Sequence, residues 1–233
     1  MERIYINPGH SDKDPGAVGY ETERKLNVKV SEYQREHLLE NYVCEVRMNP
    51  GTMNSTREVA EDANKWKATF LCSNHFNAGR GDGYEGLVHN ESRVDIGKVF
   101  EKHVKAAGQN SRGVKLRPEL NILNLTNMPA ILNEGAFVDN KKDIQDWNDD
   151  AELKKLGIAY AEATAEVRKL PKKAVPAPAP APSPTPAPSS GMYRVFDKDE
   201  KQVGAFSKEA NAFNEVKKQL QSGGAARITL SEK

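Results

Sequence analysis

The sequence lacks several features that define common classes of protein. Only two cysteines, Cys44 and Cys72, occur among its 233 residues, which is too few for a scaffold held together by disulfides. Their spacing is not that of a zinc-ligand pair, and both lie in short apolar runs, so we expect two buried, reduced thiols. No apolar run approaches the roughly 20 residues of a membrane helix, which predicts no membrane insertion.

Neither sign of charge dominates the chain, and aromatic residues are scarce. The formal net charge is +1, and aromatic residues make up 7% of the sequence. The basic residues are spread out with few aromatics among them, which predicts no nucleic-acid partner. The charges are unevenly divided, because residues 1–170 carry 24 Lys and Arg against 27 Asp and Glu, whereas residues 171–233 carry 10 against 6. The tail is therefore basic.

A secretory signal is also missing from the start of the sequence. Met1, Glu2 and Arg3 lead directly into an apolar run, which we interpret as the first strand of a core. We therefore expect synthesis in the cytoplasm without a signal peptide.

Proline is concentrated in one segment, and this predicts the domain organisation. Eight of the 13 prolines lie in residues 171–190, where Pro largely alternates with Ala. Such a tract cannot form a core and favours an extended, semi-rigid conformation. We expect a folded domain over residues 1–170, a Pro/Ala-rich linker over 171–190 and a small module over 191–233.

Apolar periodicity predicts strands that alternate with helices in the first domain. The predicted strands are residues 4–6, 43–48, 68–72, 84–89, 112–117 and 128–133, and the main predicted helices are residues 22–41, 55–66, 92–107 and 151–170. This order predicts an α/β fold with a twisted mixed sheet flanked by helices. The tail predicts a small α+β (ββαβ) module. At about 40 residues it is marginal alone, which favours dimerisation or a bound surface.

Polar side chains follow three of the predicted strands. His10 comes after the Pro-Gly turn that ends the first strand, His75 follows the third strand, and Glu134 follows the strand 128–133. Strand ends are where α/β proteins build their sites. Glu21 and Glu23 both lie at the entry to the next helix, and either could be a ligand. The spacing E-x-x-L-N favours Glu23. A helix start favours an ionised carboxylate, which suits a metal ligand.

These residue types fit a hydrolytic zinc centre. Two imidazoles, from His10 and His75, and the carboxylate of Glu23 form a ligand set that leaves a fourth position open for water. Glu134, as a carboxylate that does not bind the metal, would take a proton from that water and pass it to the leaving amine. The predicted cofactor is one Zn²⁺ ion per catalytic domain.

The order of the motifs resembles that of a known enzyme family. Residues 3–168 are similar to the zinc-dependent N-acetylmuramoyl-L-alanine amidases of the amidase type 3 family. The motifs that carry this resemblance are N-P-G-H, E-R-K-L-N, T-R-E-V-A-E-D-A-N, S-N-H-F-N and M-P-A-I-L-N-E-G-A-F-V-D-N. The first motif departs from the family's D-P-G-H-G-G, because Asn7 stands for the aspartate and Ser11-Asp12 for the two glycines, a difference that bears on the orientation of His10.

The resemblance implies both the reaction and the roles of the residues. His10, Glu23 and His75 would bind Zn²⁺, and Glu134 would be the catalytic carboxylate. The enzyme would cleave the amide between the lactyl group of N-acetylmuramic acid and L-alanine in bacterial peptidoglycan.

The tail resembles part of a second family. The run V-G-A-F-S-K-E-A-N-A-F-N-E-V-K-K-Q-L is similar to part of the SPOR-type peptidoglycan-binding repeat, although the tail is shorter than that family's βαββαβ unit. Its positive charge would attract anionic wall polymers. The expected protein is thus a lytic enzyme that acts at the bacterial cell wall after release, either as a phage endolysin or as an autolysin freed when a mother cell lyses.

Three other functions stay open at this stage. A zinc peptidase could cut within the stem peptide of peptidoglycan instead. A metal-free glycan hydrolase could use paired carboxylates such as Glu21 and Glu23. A binding protein could retain an amidase fold without activity, although it would have no need for four intact site residues.

Overall fold

The described part of the chain forms two compact units. A computed structural model describes residues 1–174, 192–221 and 225–231. The first unit comprises residues 1–173 and the second residues 174–233. Most of the predicted linker, residues 175–190, lies outside the described residues.

The first unit is built on a six-stranded sheet with the order β2-β1-β3-β6-β4-β5. Its strands are β1 (Arg3–Pro8), β2 (Glu45–Met48), β3 (Phe70–Asn77), β4 (Tyr84–Val88), β5 (Ser111–Leu116) and β6 (Ala130–Phe137). All neighbouring pairs are parallel except β4 and β6, which are antiparallel. The predicted mixed sheet is therefore confirmed, with β2 and β5 as its edge strands.

Strand direction brings several chain segments to one edge of this sheet. Because β1, β3 and β6 are parallel, their carboxyl ends lie at the same edge, and antiparallel β4 begins there. The residues that follow β1 and those near the ends of β3 and β6 are thus placed close together.

Helices cover the two faces of the sheet unequally. They are α1 (Glu23–Asn41), α2 (Thr56–Lys65), α3 (Val94–Ala106), α4 (Asn121–Asn124), α5 (Lys141–Gln145) and α6 (Asp150–Arg168), with a 3₁₀ turn at Glu91–Arg93. Helices α1, α3 and α6 pack on the face that carries Ile4, Phe70 and Ile131. The shorter α2 and α4 pack on the opposite face, against Leu71 and Leu132.

The strands β3 and β6 run further than the hydrophobic pattern predicts. The predicted ends at residues 72 and 133 are wrong, because β3 continues to Asn77 and β6 to Phe137. Polar residues in these extensions are buried and hydrogen-bonded. For example, Asn133 Nδ2 donates to Asn74 Oδ1 at 3.1 Å. His75 and Glu134 therefore lie within strands rather than after them, and the backbone ladder fixes both positions.

The second unit is a small antiparallel sheet with one helix. Its elements are β7 (Met192–Asp197), β8 (Gln202–Phe206), α7 (Glu209–Gln221) and β9 (Ala226–Ser231), and the strand order is β8-β7-β9. Tyr193, Val195 and Ala212 form its buried centre. The elements follow the predicted ββαβ order.

Both cysteine thiols are free, but their environments differ. Cys72 is fully buried, and burial raises the pKa of its thiol to about 12. Cys44 is only partly buried, so the prediction of two buried thiols is wrong for this residue. It lies just before the edge strand β2.

In the described ranges 1–174, 192–221 and 225–231, no helix is both long enough and apolar enough to cross a membrane.

Candidate metal and catalytic site

The turn after β1 holds His10 in a conformation that few residues adopt. His10 has a φ of +65°, in the left-handed region, which costs about 1–2 kcal/mol for a residue with a Cβ. The preceding Gly9 lies against the imidazole of His75, and a Cβ at Gly9 would come within 2.2 Å of that ring. The N-P-G-H sequence thus allows the two histidines to approach each other, with ring centroids 5.2 Å apart.

Both imidazoles face a single buried carboxylate. His10 Nε2 lies 2.9 Å from Glu23 Oε2, and His75 Nδ1 lies 2.9 Å from Glu23 Oε1. One ligand atom from each of the three residues lies within 4.8 Å of the other two. The three residues predicted as ligands are therefore brought together in a cluster that could bind a metal ion.

The start of α1 positions Glu23. Thr22 precedes the helix in an extended conformation without a side-chain cap, and the Glu23 N–H donates instead to Ala17 O at 2.9 Å. The Glu23 carboxylate accepts a hydrogen bond from Ala17 N at 2.9 Å and another from Phe76 N at 3.3 Å. The Asn27 side-chain amide donates both to Glu23 and to Gly9 O. Contacts from the turn, the helix and β3 therefore orient the carboxylate.

The second nitrogen of each imidazole contacts a further polar group. His10 Nδ1 lies 2.8 Å from Asp14 Oδ2, and His75 Nε2 lies 3.2 Å from Ser73 Oγ. Asn7 Nδ2 in turn donates to Ser73 Oγ at 2.8 Å. Asn7 is thus hydrogen-bonded on the Ser73–His75 side, whereas Asp14 contacts His10 directly. Sequence reasoning missed Asp14, although its four-residue spacing from His10 within a tight turn was visible.

The charges in the cluster depend on one another. Burial favours the neutral form of Glu23, but hydrogen bonds from His10 and His75 outweigh it and hold the pKa of this carboxyl well below its usual range. The bond with Glu23 also raises the pKa of His10 to about 9, despite the partial burial of the ring. A buried carboxylate between two imidazoles requires positive charge, which either protons or a cation can supply.

Glu134 lies beside the cluster and has a different environment. It is the direct partner of His75 across β3 and β6. Its Oε2 is buried and has no hydrogen-bond partner within the described residues. Burial, together with the negative charges of Glu23 and Glu85, raises the pKa of Glu134 to about 8. One cavity of about 440 Å³ is lined by Glu134 and by all three residues of the cluster.

Other residues considered from the sequence lie outside this arrangement. Glu21 forms an ion pair with Lys25 at 3.0 Å and does not join the cluster. His37 and His103 pair with glutamates of α6. The competition between Glu21 and Glu23 is thus resolved by geometry: only Glu23 faces the histidines.

Comparisons with known proteins agree with this architecture. Residues 4–166 match a family model described as N-acetylmuramoyl-L-alanine amidase. The chain is 27% identical over 224 residues to a sporulation-specific N-acetylmuramoyl-L-alanine amidase of Bacillus subtilis, covering 91% of this chain and 78% of that protein. It is 28% identical over 184 residues to an endolysin of Bacillus phage SPP1, covering 73% of this chain and 68% of the endolysin.

A solved structure shows the same fold. The catalytic domain of CwlV, an N-acetylmuramoyl-L-alanine amidase from Bacillus (Paenibacillus) polymyxa var. colistinus, superposes with a TM-score of 0.69 at 23% identity. The match covers 73% of this chain and 100% of that domain.

Proposed function

The chain belongs to the N-acetylmuramoyl-L-alanine amidase family and is a peptidoglycan hydrolase, and from that premise we propose that His10, Glu23 and His75 hold one zinc ion while Glu134 is the catalytic acid and base. The observation that carries the proposal is the convergence of two imidazoles and a buried carboxylate beside a glutamate with an unpartnered oxygen. Cleavage would fall on the amide between N-acetylmuramic acid and L-alanine.

The chemistry of the three candidate ligands fits a zinc ion. Two imidazole nitrogens and one carboxylate oxygen are typical ligands of a catalytic zinc site that keeps a position for water. Each imidazole also has an outer contact, to Asp14 or Ser73, of the kind that orients metal-binding histidines. The positive charge that the buried Glu23 requires would be provided by the ion.

The chain's own residues supply the proton transfers. When bound, zinc supplies a Lewis acid that polarises the scissile carbonyl and lowers the pKa of a water molecule towards about 7. In its ionised form, which the positive charge of a bound ion would favour against the effect of burial, Glu134 would accept the proton of the attacking water through its unpartnered oxygen. It then donates that proton to the nitrogen of L-alanine as the carbon–nitrogen bond breaks, which yields a carboxylic acid and a free amine. No covalent enzyme intermediate is needed.

The alternatives differ in their products. A zinc peptidase acting within the stem peptide would use the same ligands but would leave muramic acid joined to alanine. A glycan hydrolase that pairs Glu21 with Glu23 is disfavoured, because Glu21 is engaged by Lys25 and Glu23 lies between two imidazoles. An inactive binding protein would release nothing.

Digestion of purified peptidoglycan tests these functions against one another. The enzyme would be assayed as prepared, after chelation, and after chelation followed by zinc, with products identified by mass spectrometry. We expect peptides that begin with free L-alanine, lost on chelation and restored by zinc. New amino groups elsewhere, reducing sugars, or products unaffected by chelation would contradict the proposal.

The second unit is proposed to be a SPOR-like wall-binding module. Support comes from its ββαβ order, from the excess of basic residues after residue 170, and from its small size, which favours a partner copy or a bound surface. The similarity to a phage endolysin supports action at the cell wall during lysis.

Removing the second unit tests this role. A chain ending after Lys173 keeps the backbone bonds that join Pro171 to Val43 and Lys173 to Asn41. We expect it to cleave soluble muropeptides normally, to sediment less with intact walls, and to show less self-association than the full chain. Equal wall binding by both chains would contradict the proposal.

A further inference from the structure

The two histidines of the site line two separate cavities. The cavity of about 440 Å³ extends past Glu134 to the segment after β5, and we call it the β5 pocket. A second cavity of about 170 Å³ extends towards the start of α2, where Met53 and Val59 lie, and we call it the α2 pocket. Because His10, Thr56 and His75 line both, the two pockets are both accessible to a substrate whose reacting bond lies at the site.

The two pockets differ in charge. Arg117 lines the β5 pocket and, within the described lining, is its only Lys or Arg. The α2 pocket has neither Lys nor Arg in its described lining, and Asp14 is its only carboxylate. The β5 pocket also carries the carboxylates of Glu23, Glu119 and Glu134, so any preference for a negatively charged part of a substrate lies at Arg117 itself.

The guanidinium of Arg117 has an open edge. Its Nε donates to Glu119, while neither terminal nitrogen makes a hydrogen bond to any described residue. The side chain is 43% exposed, and it lines the same cavity as Glu134 and the three residues of the cluster. The two free terminal nitrogens match the paired oxygens of a carboxylate, an arrangement that arginine binds in bidentate fashion.

This inference rests on the proposed amidase reaction, in which the two parts of the substrate on either side of the scissile amide differ in charge. An N-acetylated glycan carries no charged group beside the scissile amide. The stem peptide does, because the D-glutamate that follows L-alanine is linked through its γ-carboxyl and keeps a free α-carboxyl. Successive Cα atoms of an α-linked chain are about 3.8 Å apart, so this carboxylate lies within a few bonds of the alanine nitrogen.

We propose that Arg117 forms a subsite for the α-carboxylate of the second stem-peptide residue, so that the peptide lies in the β5 pocket and muramic acid in the α2 pocket. The open edge of the guanidinium binds the carboxylate, and Glu119 keeps its bond to Nε. Arg117 is a specificity residue in this arrangement, and it takes no part in proton transfer.

Two soluble muramyl peptides test the subsite. They differ only in the glutamate α-carboxyl, which is free in one and amidated in the other, and kcat/KM is measured with the full-length, zinc-loaded chain. A charged hydrogen bond predicts a preference of about 10- to 100-fold for the free acid. We expect Arg117→Gln to bring the ratio close to one by slowing only the free acid, and Arg117→Lys to retain part of the preference.

Arg57 provides a matched control on the other side of the site. It is exposed at the start of α2, and Arg57→Gln removes the same charge without touching the β5 pocket. We expect this variant to keep the wild-type ratio. An unchanged ratio in Arg117→Gln, no preference in the wild type, or loss of the preference in Arg57→Gln would overturn the proposal. A wild-type chain that releases no L-alanine amino terminus from either substrate would instead refute the amidase reaction itself.

Discussion

His75 and Glu134 are direct partners across the parallel strands β3 and β6. Their neighbours Asn74 and Asn133 are hydrogen-bonded to each other on the opposite, buried face of the sheet. A slip of one residue would turn every side chain of a strand to the other face, so this amide pair helps to fix the register that places the proposed ligand His75 beside the proposed catalytic carboxylate of Glu134. The fold therefore sets the geometry of the site before any ion binds.

Asp14 is expected to tune zinc affinity through His10. Asp14→Asn removes the carboxylate that lies 2.8 Å from His10 Nδ1, and loss of such an outer contact typically weakens metal binding by about 10- to 100-fold. Competition with a chromophoric chelator measures the change. Asp12→Asn serves as the control, because Asp12 pairs with Arg24 and does not contact His10. An equal loss of affinity in both variants would show that only general negative charge matters.

We expect a glycine to be required at position 9 because a side chain there would clash with His75, rather than because the backbone needs flexibility. In Gly9→Ala the new Cβ would lie 2.2 Å from the His75 ring, and overpacking of this kind costs about 1–3 kcal/mol. We expect lower stability and zinc binding weakened by about tenfold or more.

Gly108→Ala is the matched control for this substitution. Gly108 has a φ of +109° and open space around it, so alanine there costs about 1–3 kcal/mol through backbone strain alone. We expect thermal unfolding to show lower stability for both variants. Zinc titration should show weaker binding for Gly9→Ala only. Unaltered zinc affinity in Gly9→Ala would contradict the steric account.

Several parts of this architecture were predictable from the sequence and others were not. Alternating apolar segments predict the mixed sheet, and motif order singles out His10, His75 and Glu134. The hydrophobic pattern places the ends of β3 and β6 too early, because buried polar residues such as Asn74 and Asn133 continue these strands through hydrogen bonds that no hydropathy pattern reveals. The contacts of Asp14 and Arg117 depend on turn and loop geometry, which spacing alone does not determine.

The ion pairs of Glu85 predict a pH-dependent contribution to stability. Burial tends to raise the pKa of Glu85, but bonds from Lys115 and Arg112 outweigh it and lower the pKa below the ordinary value of 4.5. The folded state thus binds this proton less readily than the unfolded state does, so the stabilisation is complete above about pH 4.5 and is lost as the pH falls further.

Urea unfolding of Glu85→Gln measures this contribution. We expect the variant to lose about 1–3 kcal/mol at pH 7, with the difference from wild type shrinking towards zero at acidic pH. Glu40→Gln, at an exposed position of α1, should change the free energy of unfolding by no more than about 0.5 kcal/mol. A difference in Glu85→Gln that stays constant with pH would contradict the role of these ion pairs.

The central claim assigns metal binding and proton transfer to different residues, and one paired measurement tests it most directly. Zinc content and release of L-alanine peptides would be determined together for Glu134→Gln and His75→Ala. The account predicts that Glu134→Gln keeps one zinc per chain and loses about 10²- to 10⁴-fold in kcat, whereas His75→Ala loses both zinc and activity. Near-normal activity in Glu134→Gln, or full zinc content in His75→Ala, would contradict it.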